Sequence, residues 1–189
     1  INPSYYLYQN DKTFYQPNAF LMPKMVQLVI SLIKNPRDLL ELYCGSGTFT
    51  IPLSYTFNNI FATENNRDSI SYLKKSISKN DIENIYYARL SDIELMDALK
   101  GRIFRRLEDV DLENFDFSHI LVDPPRSGLS NNITEILNKF DNIIYISCNP
   151  DTFQRDLNNL KDYKIEKLEV FDQFSNTPHI ELIALLIKH

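Results

Sequence analysis

The stretch Leu39-Leu40-Glu41-Leu42-Tyr43-Cys44-Gly45-Ser46-Gly47-Thr48-Phe49 decides the fold. A β-compatible apolar run ends in two of the chain's four glycines, and a helix-compatible segment follows. A strand that enters a glycine turn and leaves as a helix is the opening unit of an α/β domain. Glycine lets the backbone turn tightly and approach a ligand closely, so Gly45 and Gly47 are candidate cofactor contacts. The same pair also suits an ordinary strand–helix turn, and the remaining segments carry the decision.

Outward from this stretch the chain alternates. β-rich runs lie at Leu39–Cys44, Asn59–Glu64, Asn84–Ala88, His119–Asp123, Ile143–Ser147, Ile165–Phe171 and Ile180–Ile187. Helical spacing occupies Asn18–Ile33, Phe49–Tyr55, Asp68–Lys79, Asp92–Leu99, Asn132–Phe140 and Asp151–Leu160. Such alternation predicts βαβ units, hence a mostly parallel seven-stranded sheet with helices on both faces. The last two runs follow each other without a helix, so one of them is expected to run antiparallel. Residues 1–35 form a leading segment and first helix, and 36–189 a Rossmann-like core. The stretch Gly101–Phe117 is long for a connection and reads as an insertion.

Composition sets outer limits. The 189 residues are 43% hydrophobic and 24% charged, enough for one domain with its own core. A net charge of −5 argues against a strongly basic nucleic-acid-binding domain. Arg102, Arg105 and Arg106 form one short basic cluster, which reads as a solvated loop. The two cysteines lack ligand spacing, so no metal site is expected. Free thiols fit a reducing, cytoplasmic setting. No run approaches the ~20 apolar residues of a membrane span. The chain opens on Ile1 rather than Met, and further residues are expected upstream.

Open α/β sheets bind ligands beyond the carboxyl ends of their strands. The unusual motifs all fall there: Cys44-Gly45-Ser46-Gly47, Glu64, Asp123-Pro124-Pro125-Arg126 and Cys148-Asn149-Pro150. Glu64 stands about 20 residues after the glycines, where an acid accepts hydrogen bonds from ribose hydroxyls. A third glycine is absent, Thr50 standing in its place, and Pro52 follows soon after. A cofactor without a pyrophosphate therefore fits better than a dinucleotide. S-adenosyl-L-methionine, with its ribose, adenine and sulfonium cation, suits Glu64 and Asp123.

Asn149 and Pro150 suit an N-cap and a first helical residue. That places the Cys148 thiol beside a helix N-terminus, where thiolate is favoured. Cys148 is the candidate nucleophile, whereas Cys44, inside the glycine loop, is expected only to pack. Glu181 heads the apolar run Leu182–Ile187, where burial raises a carboxyl towards the range of a general base. His179 reads equally as a substrate contact or as a solvated or core histidine. A thiolate, an acid and a methyl donor together suggest methylation at carbon 5 of a pyrimidine. The thiolate adds to carbon 6, carbon 5 becomes nucleophilic, and the acid's conjugate base removes the carbon-5 proton.

These motifs resemble the S-adenosylmethionine-dependent RNA uracil-5-methyltransferases, and most of all their tRNA-acting branch. The resemblance runs from Phe14-Tyr15-Gln16-Pro17-Asn18 through Leu39–Gly45, Ala62-Thr63-Glu64, Val122–Leu129, Tyr145–Pro150 and Phe171–Phe174 to Thr177–Glu181. It implies a Rossmann-like class I methyltransferase fold, with Cys148 as nucleophile and Glu181 as base. It also implies cofactor contacts at Gln16, Tyr43, Thr48, Glu64 and Asp123. Thr48 stands where the tRNA-acting branch carries asparagine. The insertion Arg105–Leu112 also resembles that branch. The implied substrate is RNA, with the T-loop uridine of tRNA as the family's usual target, and an RNA-binding portion ahead of the catalytic part.

Three enzyme rivals and one non-enzymatic rival stand beside this reading. Exocyclic amino methyltransferases place an aromatic after the paired prolines, where this chain has Arg126. RNA cytosine-5-methyltransferases carry another cysteine in the fourth-strand motif, which Asp123–Arg126 lacks. Ribosomal-RNA uridine methyltransferases share the chemistry, and some carry a cysteine cluster upstream. A cofactor-fold module without catalysis needs neither Cys148 nor Glu181.

Overall fold

The computed structural model describes residues 4–9, 18–174, 176–177 and 179–189. Helix α1 (Met22–Leu32) precedes a regular alternation: β1 (Asp38–Leu42), α2 (Thr50–Leu53), β2 (Asn59–Glu64), α3 (Arg67–Lys79), β3 (Ile85–Arg89), α4 (Asp92–Leu99) and β4 (Phe117–Val122). It continues through α5 (Asn131–Leu137), β5 (Asn142–Ser147) and α6 (Pro150–Asn159) to β6 (Tyr163–Phe171) and β7 (Glu181–Lys188). The strands form one sheet in the order β3-β2-β1-β4-β5-β7-β6. Strands β1 to β5 pair in parallel, and β7 lies antiparallel between β5 and β6.

Both faces of the sheet are covered, which is why β1 is buried at all five positions rather than at alternate ones. Met25, Val26 and Val29 of α1, with Ile51 and Leu53 of α2 and Leu73 of α3, pack on one face. Leu95 of α4, Ile133 and Ile136 of α5, and Phe153 of α6 pack on the other.

Local chemistry moves several boundaries from their sequence expectations. Helix α1 begins at Met22 rather than Asn18, because Asn18 Oδ1 accepts from the Phe20 and Leu21 N–H groups and holds a turn ahead of the helix. Helix α2 shrinks to one turn. Asn66 caps α3, accepting from the Asp68 and Ser69 N–H groups. Ser91 and Glu94 form a reciprocal capping box on α4. The Gly101–Phe117 stretch holds two 3-10 turns, Arg105–Leu107 and Leu112–Asn114. Its arginines meet acids: Arg102 pairs with Asp97 at 2.6 Å, and Arg106 with Glu94.

Strand β6 is a sheet edge, and its pairing with β7 shifts register between Ile165 and Lys167. Ile165, Leu168 and Val170 are exposed there.

Candidate active site

A cavity of about 830 Å³ opens at the carboxyl ends of the strands. Tyr43, Gly45, Thr48, Glu64, Asp123, Cys148 and Glu181 all line it. Residues up to 138 positions apart in sequence, Tyr43 and Glu181, thus converge where the parallel sheet ends. Gln16 lies outside the described residues. Gly47 does not line the cavity. At φ +98° it sits where an added Cβ would lie 2.7 Å from Leu73 Cδ1 of α3, so its work is close packing of loop on helix. Gly45, at φ +56°, faces open space, and its N–H donates to Glu64 Oε2 at 3.1 Å.

Glu64 is aimed by that bond and by a second, because its Oε1 accepts from the Asn66 N–H at 2.7 Å. Tyr43 follows β1 with φ +59°, a rare backbone for a tyrosine. Its hydroxyl donates to Asp92 at the start of α4, 3.0 Å from either oxygen. Ser130, the N-cap of α5, donates to the same carboxylate at 2.6 Å. Asp92 therefore ties three elements together at the cavity wall.

Acids dominate the interior. Glu41 is 1% exposed on the central strand β1, and burial, with Asp123 nearby, pushes its carboxyl up to about 8. Asp123 is pushed to about 7 by burial and by Glu64. Glu181, the first residue of β7 and also 1% exposed, is pushed to about 8 by burial and by Asp123. Among the described residues, Glu41 Oε2, Glu181 Oε2 and Ser46 Oγ are buried without a hydrogen-bond partner. A ligand that brings positive charge and donors satisfies such atoms.

The Glu41 carboxyl carries a stability signature. Its folded form holds a proton that the unfolded chain releases near the ordinary carboxyl value. The penalty is absent below about pH 4.5 and grows until the folded carboxyl also ionises near pH 8. In Glu41→Gln that penalty disappears. The variant's melting temperature is expected to gain on the native one from pH 5 to pH 8, by about 7–14 °C in total. Thermal melts without cofactor at stepped pH measure it, and parallel curves would overturn it.

Cys148 follows β5 directly, and Asn149 caps α6 by accepting from the Asp151 N–H at 3.1 Å. The cap and Pro150 stand as the sequence predicted, but the thiol does not respond as expected. Burial raises its pKa, and Glu181 and Asp123 add to the rise. Arg126 opposes them through a hydrogen bond and its charge. Cys44 is buried, with its thiol well above the ordinary value for the same leading reason. His179 stands off the cavity, with its ring 6.2 Å from that of Phe174, which does line it.

Glu41, Asp92 and Arg126 belong to the site although sequence reasoning assigned them no role there. Glu41 left one signal, a charge amid the apolar run of the central strand. Among the described residues, no group of three or more His, Cys, Asp or Glu is placed to hold a metal ion. No helix among them is long and apolar enough to cross a membrane.

Comparison with known proteins agrees with this arrangement. The profile of the tRNA (Uracil-5-)-methyltransferase family matches residues 2–189. The tRNA/tmRNA (uracil-C(5))-methyltransferase of Campylobacter concisus is 48% identical over 94% of this chain and 49% of its own length. That of Saccharophagus degradans is 46% identical over 95% of this chain and 50% of its own. The crystal structure of the Pyrococcus abyssi tRNA (uracil-54, C5)-methyltransferase in complex with S-adenosyl-L-homocysteine superposes with a TM-score of 0.76. It is 32% identical, over 93% of this chain and 40% of that one. The chain spans about half the length of the curated relatives it matches. The match of the family profile to residues 2–189 of the 189 shows that the chain belongs to the tRNA (Uracil-5-)-methyltransferase family.

Proposed function

We propose that this chain carries the catalytic centre of a methyltransferase that uses S-adenosyl-L-methionine to methylate carbon 5 of a uridine in tRNA, the T-loop uridine being the target. The observation that carries the proposal is one cavity in which a thiol, Cys148, faces a buried acid, Glu181, beside a wall of further acids. The names of the relatives support the substrate. The ligand of the archaeal neighbour supports the cofactor.

The cavity fits that cofactor. Its unpartnered acidic oxygens suit a ligand carrying sulfonium and ammonium charge, and about 830 Å³ accommodates a molecule of that size. Glu64, fixed by two backbone N–H groups, would receive the ribose hydroxyls. Tyr43, Gly45, Thr48 and Asp123 would line the remainder, with Glu41 beneath. When bound, the cofactor supplies an electrophilic methyl group.

The chain's own residues then do the following work. Cys148 gives its thiol proton to solvent or a neighbouring carboxylate, and Sγ adds to carbon 6 of the uracil. Electron density passes to carbon 5, which would gain the methyl as the sulfonium's carbon–sulfur bond breaks, the bonding pair staying on sulfur and S-adenosyl-L-homocysteine leaving. Glu181, as carboxylate, removes the proton left on carbon 5. The carbon–sulfur bond breaks, and the double bond and the thiolate return. Arg126 holds positive charge beside the thiolate.

An RNA-binding portion ahead of residues 1–189 is part of the proposal, because the acidic net charge of this chain suits RNA poorly. The test uses the native protein purified whole, labelled cofactor and two tRNA transcripts. Methyl incorporation is expected into the transcript with the T-loop uridine and not into one carrying cytidine there. Equal labelling of both overturns the site assignment. Labelling of neither overturns the function.

The raised acids make cofactor binding pH-dependent. At pH 6 Glu41, Asp123 and Glu181 are largely protonated, and a cation gains when they ionise. Affinity for S-adenosyl-L-methionine is expected to rise about tenfold from pH 6 to pH 8, by the linkage of one released proton. S-adenosyl-L-homocysteine lacks the sulfonium charge and should show a shallower slope. Calorimetric titrations of both ligands decide it, and equal slopes would refute it.

A further inference from the structure

Asp156 lies on α6, 1% exposed, and lines no part of the cavity. It nevertheless gathers four donors. Its Oδ2 accepts from the Tyr145 hydroxyl at 2.7 Å and from the Leu129 N–H at 2.8 Å. Its Oδ1 accepts from Arg155 Nε at 2.9 Å and Nη2 at 2.6 Å. Arg155 Nη2 reaches on to the Ser127 carbonyl at 2.9 Å. Gly128, at φ +76°, leaves the space these groups need: an added Cβ would stand 2.6 Å from Asp156 Oδ2 and collide with Arg155.

Two of these bonds reach the loop from Asp123 to Leu129: Asp156 holds the Leu129 N–H, and Arg155 holds the Ser127 carbonyl. That loop is fastened a second time near its middle, where Asn149 Nδ2 donates to the Arg126 carbonyl at 3.0 Å. Asn149 is the residue after Cys148. One helix thus starts at the thiol and grips the loop that carries the guanidinium facing it. A buried carboxylate with this many donors is rigid, and it is costly to disturb.

We propose that Asp156 is a positioning residue: by binding Arg155 and the Leu129 N–H, it locks the Asp123–Leu129 loop against α6 and so holds Arg126 beside the Cys148 thiol. This rests on the catalytic reading of Cys148. The thiol itself is faced by Glu181 from β7 and by Asp123 and Arg126 from the loop. Of these, only Arg126 favours thiolate, and it stands one residue before Ser127, whose carbonyl Arg155 holds.

The experiment titrates the thiol in the native whole protein. Alkylation of Cys148 by iodoacetamide is followed against pH, by mass spectrometry of the Cys148 peptide. Asp156→Ala is expected to raise the apparent thiol pKa by about half a unit or more. It should lower kcat about tenfold or more while leaving the KM for cofactor within about twofold. Arg126→Ala should raise the thiol pKa comparably, and the double variant no further, because one acts through the other. Asp156→Asn keeps the acceptor for Leu129 but not the charge for Arg155, and should show a smaller rise. Should Asp156→Ala not fold, Arg155→Ala serves, because that side chain is half exposed and should shift the thiol in the same direction.

Folded variants at Asp156 and Arg155 with a native thiol titration would overturn the proposal. So would fully additive shifts in the double variant. The catalytic reading fails separately: methyl transfer by a Cys148→Ala protein would end it, whatever the titrations report about the loop.

Discussion

Cys148→Ala is expected to lower methyl transfer by about 10⁴-fold or more. Carbon 5 of uracil is too weak a nucleophile to be methylated unassisted, and among the described residues Cys148 is the cysteine at the cavity with partial exposure. Cys44 cannot substitute, being buried in the glycine loop with its thiol held well above the ordinary range. Cofactor affinity should stay within about twofold, because the thiol is small and uncharged at neutral pH. The second readout is covalent. RNA with 5-fluorouridine at the target has no carbon-5 proton to lose, so adduct breakdown stops. The native protein should give a shifted band on a denaturing gel in the presence of cofactor, and Cys148→Ala should not. A band of equal strength in the variant would remove Cys148 as nucleophile.

Glu181→Gln is expected to cost about 10²–10⁴-fold in turnover, the range for losing a general base. Its distinguishing mark is what accumulates. Addition and methyl transfer can proceed, but the carbon-5 proton stays, so ordinary uridine RNA should remain attached to the variant. In the native protein the rate should climb with pH through about 8, as the carboxyl ionises and becomes a base. Below that pH the slope should approach tenfold per unit. Glutamine removes that limb of the profile. It also removes a negative charge that raises the Cys148 pKa, so thiol alkylation should shift to lower pH. A variant with native turnover and no trapped RNA would assign the proton transfer elsewhere.

The fold was legible because the cues for it are local. Glycine turns, caps and the spacing of apolar runs act within a few residues, so strand order of appearance and an antiparallel strand near the C-terminus could be read along the chain. The Asn149–Pro150 helix start is of this kind. The raised carboxyl of Glu181 was legible from the apolar run it heads, but the electrostatics of the thiol were not, because they depend on neighbours from distant segments. The N-terminus of α6 favours thiolate at Cys148, but Glu181 and Asp123 arrive from β7 and β4, and burial outweighs the helix. Glu41 left only a charge in an apolar run, and strands with both faces covered lack the alternation that would say which way the acid points. Asp156 did break a pattern. Phe153, Asp156, Leu157 and Leu160 share one helical stripe, and the acid there faces the core, two of whose members are Phe153 and Leu160.

The bulged rim at β6 bears on colloidal behaviour. A nine-residue edge strand with exposed Ile165, Leu168 and Val170 is a template on which another chain can extend the sheet. The register shift at Ile165/Lys167 breaks the ladder's repeat, and Lys164, Glu166, Lys167 and Glu169 set charges along it. A strand of another chain would meet an irregular, charged rim there. Such irregularity and charge disfavour the addition of a further strand at an open sheet edge.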